Sequence, residues 1–204
     1  MEFILKRPTK VLSLFYMGAL LMVLGSIQYF LFKIAGILND KPIGKNLWFQ
    51  ILLKIHIVGG LIAIFSGPTQ LFDYFRIKNL KLHKRLGYTY AFSVLTSGLI
   101  GFFISFFAMG GFISKSGLIT LSTFWLGSLF LSMKNIYSKN IERHKFWMFI
   151  NYALTFGAVT QRLILGIGQL IGFEFLSLYS FTNWVSWMLN ICFVLWKYNR
   201  RAKN

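Results

Sequence analysis

The side chains in this sequence best suited to chemistry are three histidines, His56, His83 and His144. A neutral imidazole can ligate haem iron or another transition metal and can accept a hydrogen bond. Each histidine opens a patterned stripe. His144, Met148, Asn151, Thr155, Ala158 and Arg162 follow at steps of three and four, which puts them on one helix face. At 1.5 Å per residue, Arg162 lies ~27 Å beyond His144. His56 is followed on its face by Gly60, Ala63, Gly67 and Gln70, and Gly59, Ala63 and Gly67 form a row of small residues that lets a second helix approach closely. His83 heads a third stripe of Gly87, Tyr90, Ser97 and Gly101.

Polar side chains in a lipid-embedded helix are expected to face protein or a wet cavity. The three stripes therefore predict a polar interior, with His83 and His144 near one mouth and His56 and Arg162 toward the other end. His83 and His144 are the candidate metal-ligating pair, for haem b above all. His56, Gln70, Tyr90, Asn151 and Arg162 are the candidates to line a cofactor site, and the amide and hydroxyl groups between apolar walls suit a quinone equally well. No His-x-x-x-His pair occurs and no carboxylate falls inside an apolar run, which argues against a zinc hydrolase and leaves no catalytic residue to assign. The same lack of mid-membrane acids disfavours a proton- or sodium-coupled transporter.

The elements that must position these residues are long apolar runs. Of 204 residues, 56% are hydrophobic and 13% charged, far from the roughly one-quarter charged composition of a soluble domain. A membrane-crossing helix needs about 20 apolar residues, and six such runs are present: Val11–Phe32, Leu47–Phe72, Leu86–Met109, Ser116–Met133, Phe146–Gly168 and Phe175–Trp196. None alternates in polarity as a barrel strand would. The expectation is an all-α integral membrane protein, a six-helix bundle forming one domain over residues 1–204. The first run is too long for a signal-peptide core and is expected to be retained.

Orientation follows from the basic residues, which are retained on the cytoplasmic side. Sixteen of the 22 lie in Met1–Lys10, Asp73–Arg85, Lys134–Lys145 and the tail after Trp196, whereas Lys41, Lys45 and Lys115 stand on the other side. Both termini are thus expected in the cytoplasm. The net charge of +17 is accounted for by these flanks and by anionic lipid, so no nucleic-acid partner is expected. With Cys192 the single cysteine, an intramolecular disulfide is excluded. Lys54 shares a face with Val58, Leu61 and Phe65 and is expected to snorkel, while Pro68 predicts a kink near the end of the second span.

Two basic loops end alike: His83-Lys84 precedes Tyr90-Ala91, and His144-Lys145 precedes Tyr152-Ala153. The combination of His56-x-x-Gly59, Gly67-Pro68-x-Gln70, His83-Lys84-Arg85-x-Gly87, Tyr90, His144-Lys145-x-Trp147-Met148, Tyr152-Ala153-Leu154 and Arg162 resembles a bacterial family of predicted membrane proteins known as a domain of unknown function. The resemblance spans about residues 54 to 165 and implies a multi-pass protein of the bacterial cytoplasmic (inner) membrane. It implies no reaction. Two functions fit the residues: a binder of haem b or a quinone-like ligand, or a non-enzymatic accessory or assembly factor whose polar seam packs against a membrane protein complex.

Overall fold

Among the described residues, 9–31 and 42–202 of a computed structural model, all regular structure is helical. Lys6, Arg7, Lys33, Lys41, Lys203 and the last residue of the first apolar run, Phe32, lie outside them. The chain divides into two compact units, Met1–Ile104 and Ser105–Asn204. The first contains α1 (Thr9–Leu31), a short 3-10 turn (Pro42–Lys45), α2 (Leu47–Gln70), α3 (Asp73–Lys78) and α4 (Leu80–Ser105); the second contains α5 (Gly111–Tyr137), α6 (Ile141–Leu170) and α7 (Phe175–Ala202).

Helix starts are set by short polar side chains that satisfy otherwise partnerless backbone N–H groups. Asn46 accepts from the N–H groups of Trp48 and Phe49 at 2.9 and 3.3 Å, Asn79 from Leu82 at 2.9 Å, and Asn140 from Arg143 at 3.1 Å. Glu174 accepts from Leu176 and Ser177 at 2.8 and 2.7 Å at the head of α7. These backbone N–H groups hold its exposed carboxylate below the usual range. The tight turn from α5 to α6 is made with Lys139 in the left-handed region, φ 57°.

Five helices, α1, α2, α4, α5 and α7, are long and apolar enough to cross a membrane. The sixth, α6, has 30 residues, about 45 Å of helix, but Asn151, Thr155, Thr160, Gln161 and Arg162 interrupt its apolar run. Its polar side chains largely point inward. Met148, the run Ile150–Thr155, Gly157 and Val159 are buried.

In the first unit, the small row of α2 behaves as its spacing requires: Gly59, Ala63 and Gly67 are all buried. A Cβ built on Gly59 would lie 3.0 Å from the Ser97 Cβ and 3.3 Å from the Ser93 carbonyl of α4, so the bare glycine sets how near these backbones come. Pro68 is also buried, two residues before α2 ends, where its missing N–H interrupts only the last turn. The expected loop between the second and third spans contains the short helix α3, which the apolar pattern alone did not reveal.

In the second unit, α5, α6 and α7 all pack against one another. Gly117 of α5 faces α7 with the Asn183 carbonyl and the Trp184 ring 2.9 Å from where a Cβ would stand, and Gly157 of α6 meets Trp187 at 3.0 Å.

Candidate functional site

His56 and His144 are held in the same way, one in each unit. The His56 Nδ1 lies 2.8 Å from the Ser97 carbonyl and 3.1 Å from the Ser97 Oγ, while the Ser97 hydroxyl donates to the His56 carbonyl at 2.8 Å. The His144 Nδ1 lies 3.0 Å from the Ser132 carbonyl and 2.9 Å from the Ser132 Oγ. A carbonyl can only accept. Each neutral imidazole therefore carries its proton on Nδ1 and presents Nε2 as the lone-pair nitrogen. Fixing one ring nitrogen on a backbone carbonyl is how histidines that ligate through the other nitrogen are oriented.

The remaining residues of the first unit fall on the α4 stripe. Tyr90 is fully buried, His83 is half-buried at the head of the helix, and Gln70 of α2 lies against Gly87, its Oε1 3.2 Å from a built Cβ. A side chain at position 87 would thus displace the Gln70 amide. His83 and Ser97 are fourteen residues apart on α4, or about 21 Å along the axis. Because His56 is bonded to Ser97, this separation keeps the two histidines of the unit at different levels.

In the second unit the α6 seam is closed by α5. Asn151, 0% exposed, donates through Nδ2 to the Trp125 carbonyl at 2.7 Å and to the Ser128 Oγ at 2.8 Å. Thr155 accepts from the Trp125 indole N–H at 2.8 Å and donates to the Asn151 carbonyl at 3.0 Å. Ser132, Ser128 and Trp125 on α5 thus meet His144, Asn151 and Thr155 on α6 in order, as an antiparallel pair requires. Arg162, expected inside, is instead exposed, with its guanidinium donating to the Ala158 carbonyl one turn back at 3.1 Å.

A second set of polar contacts, not singled out in the sequence, ties α7 to the unit. Asn183 donates to the Ser114 Oγ at 2.5 Å and accepts from Gln161; Asn190 donates to the Ala153 carbonyl at 3.0 Å and accepts from Thr160 at 3.1 Å. The available signal was the pair Asn183 and Asn190, seven residues apart and so on one face of α7. Among the described residues, no three of His, Cys, Asp and Glu come together as a metal site.

Long apolar helices whose internal polar groups are bonded to neighbouring helices define an integral membrane protein, not a soluble domain. The chain belongs to the family of predicted membrane proteins designated DUF2306, whose sequence model matches residues 53–196. The match takes in all three histidines and their stripes. No curated protein and no solved structure matches the chain.

Proposed function

We propose that this protein is a six-span component of a bacterial cytoplasmic membrane, with α6 as its fifth span, both ends in the cytoplasm and residues 1–204 acting as one domain. In this reading it binds a redox ligand of the quinone class through a histidine whose Nδ1 is anchored by serine. The observation that carries the reading is the matched holding of His56 by Ser97 and of His144 by Ser132, which turns an Nε2 lone pair toward whatever the ring faces. A quinol hydroxyl needs one such acceptor. Haem b needs two imidazoles at one level, and His56 and His83 do not supply them within the first unit. Tyr90, seven residues from Ser97 on α4, is the further ligand contact we assign in the first unit, whereas Gln70, fourteen residues from His56 on α2, stands about 21 Å away along the helix.

A second reading has its own support. Asn151 and Thr155 are both bonded to α5, as expected of a seam that builds a rigid scaffold for an accessory or assembly role.

Purification of the full chain in mild detergent, followed by lipid extraction and mass spectrometry, tests the first reading. Quinone should co-purify, and His56→Ala should release it while helical circular dichroism is unchanged. A visible spectrum, oxidised and dithionite-reduced, reports haem. Absence of both quinone and a haem band from cells replete in each refutes the ligand reading. Failure to recover any membrane protein with the chain counts against the accessory reading. Reporter fusions at both ends check the topology, since opposite sides for the two termini would overturn six spans.

A further inference from the structure

One face of α4 is left unused by the packing just described. In its first two turns His83, Gly87 and Tyr90 form the stripe against which Gln70 lies. Lys81, Lys84, Arg85 and Tyr88, at steps of three, one and three, lie on the opposite side of the helix, and all four are exposed. Just before them, α3 adds Tyr74, with the Lys78 ammonium 5.8 Å from its ring centre, and Ile77, which is 71% exposed. Asp73, the lone acid of this stretch, is bonded to Arg76 at 3.0 Å, the one salt bridge among the described residues. Among the described residues the three cations on the α4 face therefore have no carboxylate paired with them, and the same face continues into the exposed apolar side chains of Phe92, Leu95 and Leu99.

We propose that this face is a binding site for an anionic phospholipid of the surrounding bilayer. Its phosphodiester would be held by Lys81, Lys84 and Arg85 with the Tyr88 hydroxyl as a further donor, and its acyl chains would run along Phe92, Leu95 and Leu99, exposed on the same face of α4. Three observations choose a lipid over a soluble anion or an acidic protein. The cations occupy the first two turns of α4, itself apolar enough to cross the membrane, and the end of such a helix is the level of the headgroups. Phe92, Leu95 and Leu99, exposed on the same α4 face beyond Tyr88, need a cover that a free phosphate does not provide. Tyr88, 62% exposed, is an amphipathic ring of the kind enriched at that level. The basic loop between α5 and α6 differs, because Glu142 stands among its cations, next to Arg143.

The site predicts selectivity. Each cation near an anionic surface contributes about a fivefold preference, so three give roughly 100-fold at low salt, weakening as salt rises. Native mass spectrometry of the detergent-solubilised full chain with added phosphatidylglycerol or phosphatidylcholine reads this directly. The wild type should retain phosphatidylglycerol preferentially, and K81Q/K84Q/R85Q should lose the preference while keeping its helical spectrum. K81R/K84R should retain it, as should K139Q/R143Q in the other basic loop. Equal retention of the two lipids by the wild type, or an undiminished preference in the triple neutral variant, overturns the proposal. Displacement of phosphatidylglycerol by inorganic phosphate at low concentration would also overturn it, by identifying a simple anion site.

Discussion

Replacing Asn151 by leucine removes a fully buried amide of the second unit while keeping the branching and number of side-chain heavy atoms. Its amide makes two interhelical bonds, to the Trp125 carbonyl and the Ser128 hydroxyl. Side-chain bonds between membrane helices average about 0.6 kcal/mol, with a ceiling near 1.7, so their joint loss should cost about 1.2 kcal/mol. The Trp125 carbonyl keeps the helical N–H four residues on and the Ser128 hydroxyl, which donates to it at 3.1 Å, so neither lone pair is stranded. That limits the added penalty. Ser128→Ala removes one of the two bonds, together with the Ser128 hydroxyl's donation to the Trp125 carbonyl within α5, and should cost at least about 0.6 kcal/mol. Because both substitutions destroy the same bond, the double variant should be less destabilised than the two single effects combined, by about 0.6 kcal/mol. Reversible unfolding in mixed micelles, followed by circular dichroism and tryptophan fluorescence, measures all three, with Thr123→Val as the exposed control. Strict additivity, or an Asn151→Leu variant as stable as the wild type, would show that the α5–α6 seam does not act as described.

Gly59→Ala and Gly60→Ala are neighbours with the same gain in helix propensity, yet they should differ in sign. The first puts a Cβ 3.0 Å from Ser97 and should destabilise, whereas the second meets only the Ser97 Oγ at 3.7 Å and should stabilise by up to about 1 kcal/mol, as read by thermal unfolding in detergent. Gly117→Val drives a branched side chain into the Asn183 carbonyl and Trp184 and should cost about 1–3 kcal/mol by overpacking, with loss of the cooperative transition as the readout. Glu174 has its carboxylate pKa lowered by backbone N–H groups of α7. The stability it contributes is therefore present above the ordinary carboxylate range and is lost as pH falls through its lowered value. A series of melting curves from neutral to acid pH should show a shallower acid loss for Glu174→Gln than for the wild type.

Much of this arrangement was legible in the spacing of residues along single helices. The row Gly59, Ala63 and Gly67 pointed to a close helix contact, and the buried Gly59 against Ser97 supplies it. Asn151 and Thr155 were placed together on an inward face, and both are buried. Their partners were not visible, because periodicity reports which way one helix faces and says nothing about what faces it. Trp125, Ser128 and Ser132 look unremarkable on α5 until α6 is laid against them. Arg162 shows the opposite failure: it shares the register of Asn151 and Thr155, but its long side chain follows the helix surface to its own backbone. The short helix α3 was hidden because six residues offer too little periodicity to read.

The polarity of α6 has a consequence for how the chain enters a bilayer. Taken alone, this helix would carry the Asn151 amide uncompensated into hydrocarbon, and its partition would be poor. The groups that accept from that amide belong to α5, which leaves the ribosome first and is joined to α6 by a tight turn around Lys139. For α6 to cross, the two helices are best delivered as a preassembled hairpin, so a lesion in the α5 serine row should surface as failed biogenesis before it surfaces as an unstable product.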